Sequence, residues 1–382
     1  MRLTVLSNGH GEDAIGARLL MELRRRDHSM SLSAFPLVGL GTRYEEAGIS
    51  LHGHRRALPG GGLTFHSLRL LEADLRAGLV GHTIRQLRDL NGLETDCLVT
   101  VGDVWAQLLS RLVRVPRNNR VSIQTLVSRR LSAGRVTAPN RIFMERITLF
   151  ERVLLRGNRR VFVRDEATAH WLRANAVPQA VFPGSLLLDG PRERAAPGGP
   201  LVVLLPGSRD WANRPLAVML EAARRAPGFR YCLPWTGFEL SLPAGWRVAD
   251  GAISGGSISV ELTPGPLEPL LRVASAAVGT SGTANEEAAA MGLPVITFEV
   301  AGFHTKGFIA NQQRLLGESL LPVAGTPEAI AGQLHGVFED YRLRRRLAET
   351  AGERFGAPGG IGRVAGEILR LAGRPSKQRQ PR

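Results

Sequence analysis

The chain has 382 residues, 43% of them hydrophobic and 22% charged. At roughly 100–200 residues per domain this is the size of two folded domains, which excludes both a small stapled scaffold and wholesale disorder. Lys plus Arg is 49 against 34 Asp plus Glu, a formal charge of +15, with Lys306 and Lys377 the only lysines. That excess suits an anionic partner: a sugar nucleotide, an anionic lipid surface or a nucleic acid.

The opening Met1 to Leu6 runs into a glycine-rich turn too soon for a signal peptide, and no apolar run reaches the ~18 residues of a membrane span. Cys97 and Cys232 lie in apolar, strand-like runs, so buried free thiols and a cytoplasmic location are expected. Leu3–Leu6 reads as a buried strand, followed by a glycine turn and a helix over Ala14–Arg26 with Ile15, Leu19, Leu20 and Leu23 on one face. Further strands are predicted at Leu32–Phe35, Cys97–Val101, Val121–Ile123 and Val161–Val163. Helices are predicted at Leu68–Leu90, Trp105–Leu112, Ile142–Leu155 and Glu166–Ala174. Strands alternating with helices imply a parallel sheet covered on both faces.

From Pro183 to Pro200 the chain becomes rich in Pro, Gly and Ala, as a linker does. Leu201–Leu205 then restarts the pattern, with strands near Arg230–Leu233, Ile258–Leu262, Ala276–Val278 and Val295–Phe298. Helices follow near Pro215–Arg225, Leu267–Val273, Ala284–Met291 and Glu328–Phe338. The expected class is α/β, two doubly wound Rossmann-like domains facing across a cleft. The N-terminal domain spans 1–184. The second domain spans 200–372, its final helix packing on the N-terminal domain, and 373–382 form a disordered tail.

Three turns at strand ends carry residues suited to chemistry. Ser7 to Gly16 combines Gly9 and Gly11, which allow close backbone approach, with His10, Glu12 and Asp13; as a plain turn, Asp13 would instead cap the helix. The third glycine of a dinucleotide fingerprint is absent, because Ala14 stands there. Pro206-Gly207-Ser208-Arg209 offers a backbone N–H, a hydroxyl and a guanidinium, a phosphate-gripping set. Thr280-Ser281-Gly282-Thr283 opens a helix whose N-terminal dipole can face a diphosphate. Glu287, one turn on, is placed to accept two ribose hydroxyls or to sit as a surface acid. Asn311-Gln312-Gln313 either reaches a sugar or base edge or starts a polar helix.

Taken together these segments resemble lipid-A-disaccharide synthase, and more narrowly its related-protein branch, a family with the GT-B fold. Gly11 to Ala17 is similar to that family's first glycine turn, Val101-Gly102-Asp103 to its acidic loop, and Phe182 to Asp189 to its interdomain signature. By resemblance Gly207, Ser208 and Arg209, with Ser281, Gly282, Thr283 and Glu287, line the donor pocket, and Asp103 is the base. The family's first turn usually carries Ser-Gly-Asp. Here it reads His10-Gly11-Glu12-Asp13, closer to the glycosyltransferase that adds N-acetylglucosamine to lipid II.

The chain contains no Asp-x-Asp, so metal-free stabilisation of the leaving diphosphate is expected, with no cofactor. Asp103 is the expected base or a helix cap, and His10 is its rival because imidazole titrates near neutrality. The resulting expectation is a metal-independent inverting glycosyltransferase, a hexosyltransferase moving a hexosamine-type sugar from a UDP-sugar donor to a lipid or glycolipid acceptor. The alternatives are a UDP-sugar epimerase and a non-catalytic nucleotide-sugar or lipid-binding protein. Peripheral attachment to an anionic membrane surface, on the inner face of the cytoplasmic membrane, is expected through the apolar stretch Leu58–Val80. The scattered arginines lack an aromatic stacking motif, so no nucleic acid partner is expected.

Overall fold

A computed structural model of the chain describes residues 1–58, 68–125, 128–131, 146–188, 199–207, 210–371 and 373. The chain divides into two compact units, residues 1–189 with 359–382, and residues 190–358.

The first unit is built on seven parallel strands: β1 (Arg2–Ser7), β2 (Ser31–Pro36), β3 (Ser50–Leu51), β4 (Cys97–Val101), β5 (Arg120–Gln124), β6 (Arg160–Val163) and β7 (Ala180–Val181). Their order is β3-β2-β1-β4-β5-β6-β7, so the winding reverses between β1 and β4. Every residue of β4 and β5 is buried, as expected of a sheet with helices on both faces. The helix His10–Arg26 buries Ile15, Leu19, Leu20 and Leu23 on the sheet. Beside it lies the last helix, Gly360–Leu371, whose Ile361, Val364, Ala365, Ile368 and Leu369 join the same core. The N–H groups of Gly359 and Gly360 donate to the carbonyls of Leu188 and Ser185 at 2.8 and 2.9 Å. Sequence pattern counts this helix with the second domain while packing it on the first; by its contacts it lies in the first unit.

The second unit has β8 (Leu201–Leu205), β9 (Arg230–Pro234), β10 (Arg247–Ala249), β11 (Ala252–Gly255), β12 (Ile258–Thr263), β13 (Ala276–Gly279), β14 (Val295–Phe298) and β15 (Leu320–Val323). In the order β10-β11-β12-β9-β8-β13-β14-β15 the strands from β12 to β15 are parallel, and the winding reverses between β8 and β13. At one edge β10, β11 and β12 pair antiparallel. Its first turn is Asp250-Gly251, both with positive φ (51° and 74°), the geometry that an Asp-Gly hairpin adopts.

Several boundaries differ from the sequence pattern. The single helix predicted over Leu68–Leu90 is two, Leu68–Arg76 and Leu79–Asn91, because Gly78 is left-handed at φ 86° and ends the first turn pattern. The helix predicted from Ile142 is described over Leu149–Arg156, and 142–145 lie outside the described residues. Helices Lys306–Leu316 and Tyr341–Phe355 and the short strands β3, β7, β10, β11 and β15 are additional. Cys97 and Cys232 are buried free thiols, pushed up to about 12 by burial. Residues 59–67 of the Leu58–Val80 stretch and nearly all of the tail 373–382 lie outside the described residues. No described helix is long and apolar enough to cross a membrane.

Candidate functional site

The sites predicted from sequence fall at the carboxyl ends of strands beside each sheet's reversal point, where loops diverge and leave room for ligands. In the first unit they follow β1 and β4. The helix starts at His10 with extended Gly9 as its N-cap and no side-chain cap, so Asp13 does not cap it. Asp13 instead turns inward: the Ser7 hydroxyl donates to its carboxylate at 2.6 Å, and the Tyr44 hydroxyl donates to Ser7 at 2.8 Å. Gly16 makes the room, since a Cβ there would stand 2.1 Å from the Tyr44 oxygen. Burial, partly opposed by the Ser7 bond, pushes the Asp13 carboxyl up to about 7. Glu12 is also buried and accepts from the Thr125 hydroxyl at 2.8 Å. His10 is exposed, its ring over Gly39.

Asp103 follows β4 and caps the helix Val104–Leu109. Its Oδ1 accepts from the N–H groups of Trp105 (2.9 Å) and Ala106 (3.3 Å) and from Asn8 Nδ2 (2.6 Å). Burial outweighs these bonds and raises the carboxyl above its ordinary value. Behind it sits a residue that sequence reasoning missed. Glu151 is 1% exposed, and burial, reinforced by the Asp103 charge, pushes its carboxyl up to about 8. Its N–H donates to Thr148, which caps its own helix, while Oε2 has no hydrogen-bond partner. An acid at the third position of a helix reads in sequence as an ordinary first-turn residue.

In the second unit Gly207 follows β8 with φ 119°, and the Trp211 ring lies where a Cβ would project. Ser208 and Arg209 lie outside the described residues. After β13, Thr280 is buried and ties the two strand ends together. Its N–H donates to Leu205 at 3.0 Å and its hydroxyl to Pro206 at 3.1 Å. The helix Thr283–Ala290 then starts at Gly282 with no side-chain cap, and its first amides have no intrahelical acceptor. Thr283 is exposed, and Ser281, Gly282 and Glu287 are half-buried.

Gln312, expected to reach a ligand, has another task. Its Nε2 donates to the carbonyls of both Ser281 and Gly282 at 3.0 Å, and its Oε1 accepts from Asn285 at 3.2 Å. Nearly all of its hydrogen-bonding capacity therefore holds the turn, and burial at 4% exposure keeps it there. Asn285 also donates to the Gly279 carbonyl at 3.2 Å. A Cβ on Gly279 would fall 2.0 Å from Asn285 Oδ1, so glycine is required for this packing. The Oδ1 of Asn311 accepts from Arg314 at 3.1 Å. Thr297 links Gly279 to buried His304, whose pKa burial lowers to about 4, keeping it neutral. Among the described residues no group of three His, Cys, Asp or Glu side chains is arranged to hold a metal ion.

No protein-family model matches the chain. A lipid-A-disaccharide synthase from Trichlorobacter lovleyi is 28% identical over 195 residues, 45% of this chain and 49% of that protein, so the match spans about half the relative's length. The calicheamicin glycosyltransferase CalG4 is similar in structure at a TM-score of 0.61 and 15% identity, covering 98% of this chain and 99% of its own. A UDP-GlcNAc 2-epimerase from Neisseria meningitidis, solved bound to UDP-GlcNAc, has a TM-score of 0.52 at 13% identity, covering 97% and 100%. The chain is thus similar to lipid-A-disaccharide synthase in part of its sequence, and it has the GT-B glycosyltransferase-type fold, with two Rossmann-like units.

Proposed function

We propose that the chain is a metal-independent, inverting glycosyltransferase that moves a hexosamine-type sugar from a UDP-sugar to a lipid or glycolipid acceptor. The observation that carries this reading is the uncapped helix start at Gly282, at the sheet's reversal point, braced from behind by Gln312. Backbone N–H groups fixed in that way suit the diphosphate of a leaving UDP, because they need no reorganisation as charge develops. Ser208 and Arg209 supply the hydroxyl and guanidinium, and Glu287 takes the ribose. The synthase match and the UDP-GlcNAc-bound neighbour are consistent with such a donor.

In the acceptor half, His10 is the proton acceptor and Asp103 a positioning residue. The His10 imidazole is exposed at the start of the helix after β1, where an acceptor hydroxyl can approach it, and Asp103 caps the neighbouring helix through Oδ1. As the acceptor oxygen bonds to the anomeric carbon, its proton passes to His10. The bond from that carbon to the diphosphate oxygen breaks on the opposite face, which inverts the configuration and releases UDP. Glu12 and Asp13, turned inward, hold the start of the helix that carries His10.

Binding of UDP measured by calorimetry tests the donor half. Arg209→Ala weakens it about tenfold to a hundredfold, since charge-assisted phosphate bonds are worth ~1.5–3 kcal/mol. Gln312→Ala weakens it about tenfold by loosening the turn. Unchanged affinity in both folded variants would remove the donor site from this turn.

An apolar outer surface near Asp103 favours a lipid acceptor. The helix Leu149–Arg156 buries Glu151 and Leu155 and turns Leu149 (69% exposed), Phe150 and Val153 outward. On the neighbouring helical segment Trp105, Leu108 and Leu112 are exposed as well. Grouped large apolar side chains of this kind mark interaction surfaces, and exposed Arg114, Arg146 and Arg156 accompany them. The chain is expected to bind anionic vesicles reversibly at low salt. The double variant Leu149→Ser with Phe150→Ser, outward-facing and tolerable to the fold, should lose most of that binding in vesicle sedimentation. Full retention would detach this surface from the membrane.

A further inference from the structure

At the carboxyl ends of β8 and β14 stand two aromatic rings that the donor turn does not use. Trp211, in the short turn Asp210–Ala212 after β8, lies over Gly207, where a Cβ would come within 2.5 Å of its ring. Phe303, in the loop after β14, packs on that ring at a centroid distance of 3.9 Å and an angle of 39°. Because β13 lies between β8 and β14 in the sheet, the pair reaches across the end of the strand from which Ser281 and Gly282 emerge. Both rings are half-buried.

The loop that carries Phe303 is held in place. The N–H groups of Val300 and His304 donate to each other's carbonyls at 3.0 and 3.1 Å. His304, 1% exposed, is bonded to Thr297 at 2.9 Å, and Thr297 donates to the Gly279 carbonyl at 2.7 Å. Phe303 is thus clasped to the base of the donor turn. The second unit's other tryptophans, Trp235 and Trp246, pack with its main core and donate their indole N–H groups to the Phe238 carbonyl at 3.0 Å and to Glu221 at 2.8 Å. Trp211 and Phe303 lie outside that core cluster, and the Trp211 indole N–H has no hydrogen-bond partner among the described residues.

The helix Thr283–Ala290 decides which end of a donor meets these rings. Asn285 faces the helix Lys306–Leu316 through its bond to Gln312. Glu287, two residues on, lies about 200° around the helix and therefore on the side away from Lys306–Leu316. With Glu287 on the ribose, the nucleoside lies on that far side. The sugar, at the other end of the diphosphate, then lies on the near side, where the Phe303 loop leads into the helix Lys306–Leu316.

We propose that Trp211 and Phe303 form the platform that receives the sugar of the donor, with its apolar face against the rings and a sugar oxygen accepting the Trp211 indole N–H. This rests on the reading of the Gly282 turn as the diphosphate site. A sugar ring presents C–H groups on one face, and these suit the negative face of an aromatic ring, while its hydroxyls stay at the edges for water and for the indole N–H. UDP alone places nothing on the platform, so the rings select for a sugar nucleotide over the free nucleotide.

Calorimetry on the full chain with UDP and UDP-N-acetylglucosamine tests this. Trp211→Leu and Phe303→Leu each weaken the sugar nucleotide about fivefold or more and change UDP by less than about twofold. Trp211→Phe keeps a ring on Gly207 and removes the N–H, so it weakens only the sugar nucleotide, by about twofold to fivefold, and it serves if a leucine variant does not fold. Gln312→Ala, which loosens the diphosphate turn, weakens both ligands alike. Equal losses of both ligands in the aromatic variants would make the rings a seat for the base or a brace for Gly207, and would overturn the assignment. UDP affinity that falls in Gln312→Ala while the aromatic variants leave the sugar nucleotide untouched overturns the platform alone. A parent chain that binds neither ligand overturns the diphosphate reading and the platform with it.

Discussion

His10→Ala should lower kcat by a factor on the order of 10²–10⁴, the usual contribution of a positioned general base, while leaving UDP affinity and Tm where they were. The side chain is exposed at the first position of its helix, and that helix is capped by the Gly9 backbone, so little of the fold depends on the imidazole. Asp103→Asn is the paired variant. An amide oxygen can still accept from Trp105, Ala106 and Asn8, so the cap survives while the charge is removed. Its kcat should fall less than about tenfold. The reverse ranking in steady-state assays would exchange the two roles, and two silent variants would remove the base from this turn altogether.

The second large effect is on stability and follows from Glu151. Its carboxyl is held at about 8 in the folded chain, against about 4.3 when exposed. A raised carboxyl pKa means that the folded state holds the proton more tightly. The stability this provides is complete below about pH 4 and is lost as pH rises towards 8. Asp13, at about 7, acts in the same direction over a narrower window. Glu151→Gln keeps the shape and removes the titration, so its stability relative to the parent chain should rise by about 2–4 kcal/mol between pH 5 and pH 8.5. Urea unfolding at the two pH values measures this. A difference that does not change with pH would mean that Glu151 is not held protonated.

Sequence periodicity located the parts of the molecule that obey one dominant force. Leu201–Leu205 is a continuous apolar run and Cys97–Val101 is one but for Thr100; both are buried throughout, and their boundaries agree with the structure. Glu166–Ala174 and Leu267–Val273 agree too, with Asp165 capping the first. The elements that escaped are those in which tertiary contact overrides pattern. The helix Tyr341–Phe355 buries Leu347, Ala351 and Phe355 but is otherwise mostly charged, and β10 is three residues long with two of them exposed. Asp250-Gly251 was the signal for that hairpin, a dipeptide that accommodates two successive positive φ angles.

The candidate site was legible in position but not in role. Glycine-rich turns after apolar strands mark where ligands sit, because the rule concerns topology. Roles depend on where each side chain points across the fold. Gln312 is 27 residues from Asn285 in sequence and bonds to it, Tyr44 reaches Ser7 only because Gly16 is small, and Asp13 turns to the core instead of capping. Glu151 acquires its meaning from a depth of burial that a first-turn acid does not announce.

The most direct test is mass spectrometry of the full chain incubated, in excess EDTA, with a panel of UDP-sugars and total lipid extract. The proposed function requires free UDP and a glycosylated lipid to form in equal amounts, with the sugar linkage inverted relative to the donor. Interconversion of the UDP-sugar without any lipid acceptor would replace transfer by epimerisation, and UDP-sugar binding with no product from any lipid would contradict an enzyme altogether.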